Sequence, residues 1–283
     1  MWAALRVGVL SYVGLCLLLF FRQSRYVYFP ARDVTLTPAA ANLRYEEVTL
    51  RTSDGETLQA WFVPAQGSTT TLLYCHGNAG NIGDRVPALA LFHELGLTVF
   101  MFEYRGYGHS TGTPTEAGTY RDAQAAWDYL TQIRKLAPGH IVVMGRSLGG
   151  AVAAWLAAQQ TPGALILEAT FTSLPDMAQQ LYWYLPARWF CRLRYDTLSR
   201  MSAVRCPVLV AHSPDDEMIP CDQARRLFAA APAPKEFLEL RGSHNADYDE
   251  TGPAYGAGIG GFLARQGLGR GAPKKVIDSL DFR

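Results

Sequence analysis

Short, nearly continuous apolar runs recur along most of the chain. They occupy residues 70–75, 97–102, 141–144, 164–167 and 207–211. Runs of this length and character are typical of strands that are buried on both faces of a parallel sheet. A further run at 237–240 predicts a last strand.

The chain before these runs follows a different pattern. Residues 45–52 and 57–63 alternate in polarity, and Ser53-Asp54-Gly55 lies between them. Alternation on both sides of a glycine-containing turn predicts an antiparallel hairpin.

Helical stretches separate the apolar runs, at about 79–95, 148–160, 222–230 and 254–265. Another is predicted to begin at Thr113-Pro114-Thr115-Glu116, as a capping box with proline at the first helical position, and its apolar face carries Tyr120, Ala123, Trp127 and Leu130. This strand–helix alternation predicts an α/β protein with a mostly parallel, doubly wound sheet that starts with an antiparallel hairpin.

Composition agrees with one enzyme-sized domain. Of the 283 residues 49% are hydrophobic and 18% are charged, and the net charge of +1 gives no electrostatic reason to expect a nucleic-acid partner. The five cysteines form no CxxC pair, which argues against a zinc site. We expect free thiols, although a Cys191–Cys206 disulfide remains open.

The N-terminus predicts a membrane anchor over residues 1–30. Residues 7–21 are uncharged, and counting from Trp2 gives twenty residues, enough to cross a hydrocarbon core of ~30 Å if Arg6 extends to the interface. Tyr26, Tyr28 and Phe29 are then expected at the membrane interface. A cleaved signal peptide is the alternative, and the absence of a small-x-small site after Phe21 speaks against it.

The charges that flank this segment indicate its orientation. Arg22, Arg25 and Arg32 follow the apolar stretch, whereas Arg6 and the amino terminus precede it. By the positive-inside rule, we expect a single-pass protein with a cytoplasmic catalytic domain.

A candidate nucleophile lies in Gly145-Arg146-Ser147-Leu148-Gly149, which fits G-x-S-x-G. An apolar strand runs into the motif and an alanine-rich helix runs out, so the turn presents the Ser147 hydroxyl above the sheet edge and places the Leu148 N–H where it can bind an oxyanion. A glycine-rich turn with an incidental serine is the alternative.

Residues 75–81 follow the strand expected beside the central one. Their small side chains let the backbone approach a substrate carbonyl, so the N–H near Asn78 is the expected second oxyanion donor. His76 is expected to support this loop. An ordinary turn of the same composition is the alternative.

A serine nucleophile needs a base and an acid that orients the base. Of six histidines, His244 lies in a loop after the last strand and is the predicted base. The acid lies in the segment 212–220, where Asp215, Asp216 and Glu217 are adjacent and the spacing does not choose between them.

The order Ser, Asp, His resembles the α/β-hydrolase superfamily over about residues 45–266. His76-Gly77-Asn78-Ala79-Gly80-Asn81, Tyr104-Arg105-Gly106-Tyr107-Gly108-His109-Ser110 and Gly145-Arg146-Ser147-Leu148-Gly149-Gly150 are most similar to the membrane-anchored alpha/beta-hydrolase domain-containing serine hydrolases, some of which are protein depalmitoylases. The acid motif of that branch, H-G-x-x-D-x-x-[VI]-P, implies that Asp216 is the acid, although Ser213 stands where glycine is usual.

The resemblance implies an α/β-hydrolase domain at 31–266 with a short helical cap insertion at about 174–201, and composition suggests a C-terminal tail at 267–283. The resemblance also implies a serine hydrolase that cleaves carboxylic esters or thioesters, including those of lipids or acylated proteins. The residues implied for this reaction are Ser147, His244 and Asp216, and no metal or cofactor is expected. A peptidase, an acyltransferase and a non-catalytic membrane-tethered scaffold are the alternatives.

The predicted cap is rich in aromatic residues, namely Tyr182, Trp183, Tyr184, Trp189 and Phe190. These side chains either line an acyl pocket or touch the bilayer near the anchor. Alternatively, they pack the insertion onto the body.

Overall fold

An eight-stranded sheet organises the globular part of the chain. The structure is a computed structural model that describes residues 2–246 and 250–269. The eight strands of this sheet are β2 (Glu46–Arg51), β3 (Thr57–Val63), β4 (Thr71–Cys75), β6 (Thr98–Phe102), β7 (Ile141–Arg146), β8 (Ala164–Glu168), β9 (Val208–His212) and β10 (Lys235–Glu239). Two short strands, β1 (Phe29–Pro30) and β5 (Ala79–Gly80), form a separate two-stranded sheet.

The large sheet has the strand order β10-β9-β8-β7-β4-β6-β3-β2. The hairpin β2–β3 is antiparallel, with Arg51 opposite Thr57, and β3 is also antiparallel to β6. From β6 to β10 every neighbouring pair is parallel. The predicted fold, a mostly parallel sheet that begins with an antiparallel hairpin, is therefore confirmed.

Helices cover both faces of this sheet. The helices that cover the sheet are α2 (Val86–Glu94), α3 (Glu116–Asp128), α4 (Leu148–Gln159), α8 (Cys221–Ala230) and α9 (Pro253–Arg265). The other helices of the described residues are α1 (Trp2–Val27), α5 (Leu174–Leu181), α6 (Ala187–Phe190) and α7 (Thr197–Arg200). The segment between β8 and β9, where the cap is expected, contains α5, α6 and α7.

Two hydrophobic layers result from the alternation along the strands. Leu73 and Val143 point into a core shared with α3, α4 and α8, whereas their neighbours Leu72 and Val142 point into a core shared with α2 and α9. Since both faces of each central strand are buried, the strands read as continuous apolar runs rather than alternating ones.

Two predicted helix starts are wrong. The helix expected from residue 79 begins at Val86, because Ala79–Gly80 forms β5 and Asn81 starts a 3-10 turn, Ile82–Arg85. The Asn81 side chain accepts from the Gly83 N–H and Asp84 accepts from the Asn81 N–H, so the capping box belongs to this turn.

The second error concerns α3. The residue that caps this helix is Thr115, whose hydroxyl accepts a 3.0 Å hydrogen bond from the Gly118 N–H. Thr113 and Pro114 precede the helix, so proline does not occupy its first position. Thr115, two residues after the predicted cap Thr113, supplies the side-chain acceptor that a backbone N–H in the first turn of the helix needs.

Helix α1 is long and apolar enough to cross a membrane, with a mean hydropathy of 2.1 over its best 18 residues, none of them buried. Helices of this kind occur both as membrane anchors and as signal sequences. Tyr28, expected at the interface, is instead buried, and its hydroxyl is 2.8 Å from that of Tyr195. The chain joins the globular body immediately after Val27, which removes Tyr28 from the interface.

The remaining expectations concern the cysteines and the C-terminus. All five cysteines lie in the described part of the chain and are free thiols. Leu268 is buried and the Gly269 N–H donates to Thr70, so the start of the predicted tail packs on the body. The rest of the predicted tail, 270–283, lies outside the described residues.

A buried ion pair supports the loop that follows β6. The Arg105 guanidinium donates to Asp122, whose side chain is fully buried, and to Asp54 on the hairpin turn. Arg105 therefore has a structural role, in which it ties the loop after β6 to α3 and to the hairpin turn.

Arg105→Ala should lower the free energy of unfolding by about 3–5 kcal/mol, because it leaves the buried Asp122 carboxylate without its cation. Arg121→Ala removes the half-exposed second cation of Asp54 and should cost less than about 1 kcal/mol. Denaturant unfolding of the two variants measures the difference, and equal losses would contradict this interpretation.

Candidate active site

Ser147 lies on a sharp turn between β7 and α4, at the carboxyl edge of the sheet. Its backbone has φ 53° and ψ −121°, a conformation that is strained for a residue with a side chain. Because the chain reverses here, the hydroxyl is presented above the sheet edge and the Leu148 N–H is the first of a helix, where it has no intrahelical acceptor.

Two glycines permit this turn. A Cβ at Gly145 would overlap the Gly149 carbonyl, and a Cβ at Gly149 would overlap the carbonyl oxygens of Cys75 and His76 on the loop after β4. The glycines of the motif are therefore required for close backbone approach, and the second of them sets the distance between the Ser147 turn and the neighbouring loop.

The three side chains expected to act together lie in hydrogen-bond contact. His244 Nε2 is 3.1 Å from Ser147 Oγ, and His244 Nδ1 is 2.7 Å from Asp216 Oδ2. A carboxylate can only accept, so Nδ1 carries the proton and Nε2 is left to accept from the serine hydroxyl. All three residues are at least nine-tenths buried.

The three adjacent carboxylates occupy different environments. Asp216 is buried against His244, whereas the neighbouring Asp215 is exposed. Glu217 is also exposed, and its carboxylate accepts from the His244 N–H at 2.9 Å, which lowers its pKa. Tertiary structure thus brings Asp216 to the imidazole and uses Glu217 to hold the backbone of the His244 loop.

Hydrogen bonds keep Asp216 ionised. Burial alone would raise the pKa of its carboxyl, but the His244 side chain and the Ile219 N–H, 2.7 Å from Oδ1, hold the pKa below its ordinary value. Since the folded pKa is lowered, the stabilisation from this group is present above the ordinary carboxyl pKa and is lost as pH falls through the lowered value.

A second network, not found from the sequence, holds His244 from behind. The Arg146 guanidinium donates to the His244 carbonyl and, at 2.8 Å, to the Glu168 carboxylate, and Tyr255 on α9 donates to the same carboxylate. One feature of the sequence could have indicated this network: Glu168 is a charged residue at the end of β8, which is otherwise apolar. Arg146, the residue between Gly145 and Ser147 in the G-x-S-x-G motif, therefore ties the His244 loop to the Ser147 turn.

The loop after β4 is also held by buried polar contacts. His76 Nδ1 donates to the Gly77 carbonyl at 2.7 Å, and Nε2 lies 2.9 Å from Glu103, which accepts from the Ile82 N–H. His76 therefore supports the loop rather than facing Ser147. A Cβ at Gly77 would lie 3.7 Å from Ser147 Cβ, so this loop lies directly beside the Ser147 side chain.

Asn78, the expected oxyanion donor, connects this loop to the chain that leaves α1. Its side-chain amide donates to the Val27 carbonyl at 2.8 Å, and its own carbonyl accepts from Phe29 N–H and from the Tyr107 hydroxyl. Strand β1 then pairs with β5 in parallel. The segment after α1 is thus part of the support of the candidate oxyanion loop.

The arrangement is suited to nucleophilic chemistry by a serine whose proton passes to a histidine. Within residues 2–246 and 250–269, no group of three or more histidine, cysteine, aspartate or glutamate side chains could hold a metal ion.

Comparison with known proteins identifies the family to which the chain belongs. A family model described as the alpha/beta hydrolase fold matches residues 70–197. The chain is 38% identical over 251 residues to the alpha/beta hydrolase domain-containing protein WAV2 of Arabidopsis thaliana, covering 80% of each chain. It is 36% identical over 287 residues to protein bem46 of Schizosaccharomyces pombe, covering 92% of this chain and 95% of bem46.

Solved structures share the fold at low sequence identity. An esterase from Pyrococcus furiosus superposes with a TM-score of 0.73 at 18% identity, covering 84% of this chain and 98% of the esterase. An acylaminoacyl peptidase from Pyrococcus horikoshii superposes with a TM-score of 0.60 at 15% identity, covering 79% of this chain and 42% of the peptidase. These likenesses concern the fold alone.

Gly149→Ala should lower Tm and abolish fluorophosphonate labelling of Ser147, because its methyl group must displace the backbone after β4. Gly260→Ala in α9 is the matched control, since its Cβ would make an ordinary 3.8 Å contact with Leu95. The control should leave labelling intact and stabilise the helix by up to about 1 kcal/mol. Normal labelling of Gly149→Ala would show that the turn tolerates a side chain there.

Proposed function

The chain belongs to the α/β-hydrolase superfamily, in the branch that contains bem46, and from this we propose that it is a membrane-anchored serine hydrolase of carboxylic esters or thioesters. The observation that carries the proposal is the continuous hydrogen-bonded series from Ser147 Oγ through the His244 imidazole to the Asp216 carboxylate. Each member makes the hydrogen bond that transfer of the serine proton to the imidazole requires.

In the acylation half-reaction, Ser147 Oγ attacks the substrate carbonyl carbon while His244 Nε2 takes the hydroxyl proton. Asp216, ionised, stabilises the imidazolium that forms. Collapse of the tetrahedral intermediate breaks the bond to the leaving alcohol or thiol, which takes the proton from Nε2. The acyl group remains on Ser147 as an ester.

In the second half-reaction, water attacks the acyl-enzyme and gives a proton to His244 Nε2, which returns it to Ser147 Oγ as the carboxylic acid leaves. The Leu148 N–H and the N–H of Asn78 are the proposed donors to the oxyanion in both steps. Leu148 is suited to this because its N–H opens α4 with the positive end of the helix dipole behind it.

We assign α1 as a single-pass anchor with the catalytic domain on the cytoplasmic side. The length and hydropathy of Trp2–Val27 support a span, and the Arg22, Arg25 and Arg32 side chains that follow support the orientation. Because Val27 contacts Asn78, the catalytic edge lies near the membrane-proximal end of the domain.

Ser147→Ala should abolish covalent labelling by a fluorophosphonate probe and turnover of p-nitrophenyl esters, because both need the serine hydroxyl. Purified wild-type protein should label at a single site and hydrolyse the esters, which gel fluorescence and absorbance measure. A folded wild-type protein that does not label would overturn the proposal and favour a membrane-tethered scaffold.

Asp216→Asn should lower kcat by on the order of 10⁴-fold, because an amide no longer holds the imidazole in the required tautomer. Asp215→Asn, the same change one residue earlier on an exposed side chain, should stay within about twofold of wild type. Steady-state kinetics on one short-chain ester compares them. A larger loss in Asp215→Asn would reassign the acid.

A further inference from the structure

An apolar pocket lies between the anchor helix and the segment 174–191, and we call it the anchor–cap pocket. It has a volume of about 160 Å³. One wall is the C-terminal half of α1, including Leu19 and Phe20, and the other is formed by α5 and the segment after it, including Ala178 and Leu181.

Two polar side chains of the wall, Gln23 and Cys191, are already hydrogen-bonded. Gln23 donates through Nε2 to the Phe190 carbonyl at 2.7 Å and accepts through Oε1 from the Arg192 N–H at 2.7 Å. The Cys191 thiol contacts the Leu193 carbonyl. The surface that the pocket presents to a ligand is therefore mainly apolar. Gln23 holds the two walls of the pocket together.

The wall of the pocket is linked to the loop beside Ser147 through Asn78. Gly77 lies beside Ser147, and the next residue, Asn78, donates its side-chain amide to the carbonyl of Val27. Val27 and Tyr26 line the pocket. One residue of the oxyanion loop thus touches both the nucleophile's surroundings and the pocket wall.

With α1 as the proposed anchor, one wall of the pocket is the membrane helix itself, so the proposal gives a ligand a route into the pocket from the bilayer. A ligand that enters along this helix comes from the hydrocarbon region of the bilayer. An apolar cavity of about this volume accepts a benzene-sized hydrocarbon but no hydrated polar group. An alkyl chain is the ligand chemistry that fits this lining, volume and access.

We propose that the anchor–cap pocket binds a segment of the fatty acyl chain of a long-chain ester or thioester and delivers its carbonyl to Ser147 from the membrane. This inference rests on the proposed hydrolase function and adds its substrate class. It also divides the cap aromatics: Tyr182 and Phe190 line the pocket, whereas Trp183 and Trp189, 79% and 87% exposed, face outwards and contact the bilayer.

Ala178→Trp tests the pocket, because its indole would fill the space beside α1. In nanodiscs, the ratio of kcat/KM for p-nitrophenyl palmitate to that for the butyrate should fall at least about tenfold, the loss expected when two methylenes lose apolar contacts. Ala230→Trp, an exposed position on α8 outside the pocket, should keep the wild-type ratio. An unchanged ratio in Ala178→Trp would overturn the proposal.

If Ala178→Trp does not fold, a thiol-protection experiment tests whether an acyl chain occupies the anchor–cap pocket. Cys191 lines the pocket and Cys221, on α8, does not. In Ser147→Ala, palmitate should slow N-ethylmaleimide modification of Cys191 severalfold and leave Cys221 unchanged, whereas butyrate should affect neither. Equal rates at Cys191 with and without palmitate would contradict the pocket.

These results separate the two proposals. Protection of Cys191 does not require Ser147, so it tests the pocket even in a chain without turnover. Hydrolysis of the butyrate ester by wild-type protein tests the hydrolase function alone. Trp183→Ala with Trp189→Ala should weaken liposome binding and leave the palmitate-to-butyrate ratio unchanged; a changed ratio would contradict the division of the cap aromatics.

Discussion

The close backbone packing of the Ser147 turn against the loop after β4 is the constraint on which the site depends. Gly149 contacts the Cys75 and His76 carbonyls so closely that no side chain fits between them. This contact sets the spacing between the nucleophile and the Asn78 loop. The strained backbone conformation of Ser147 is maintained because β7, α4 and the neighbouring loop all hold the chain in place there.

Support for the proposed base comes from several elements at once. Asp216 holds the His244 ring, Glu217 accepts from its N–H, and Arg146 donates to its carbonyl. Arg146 is in turn paired with Glu168 at the end of β8. Charged groups on three sides of His244 thereby hold the described part of its loop, and such support keeps an imidazole in one orientation.

The segment that follows helix α1 is integrated with the globular body. Tyr28 bonds to Tyr195, β1 pairs with β5, and Asn78 reaches Val27. Under the proposal that α1 is a membrane anchor, the short segment after it connects the membrane helix directly to the candidate oxyanion loop.

The sequence by itself determined the sheet and its antiparallel beginning, because these follow from the local periodicity of apolar residues. It also determined the strand–helix turn at Ser147, because Gly145 and Gly149 lie where no side chain fits. It also placed His244 after the last strand. Tertiary structure decided what local pattern cannot: Asp216 rather than Asp215 beside the imidazole, Tyr28 in the core, and Arg146 with Glu168 behind the base loop. Each depends on contacts between residues far apart in the chain, whose burial and partners only the packed sheet defines.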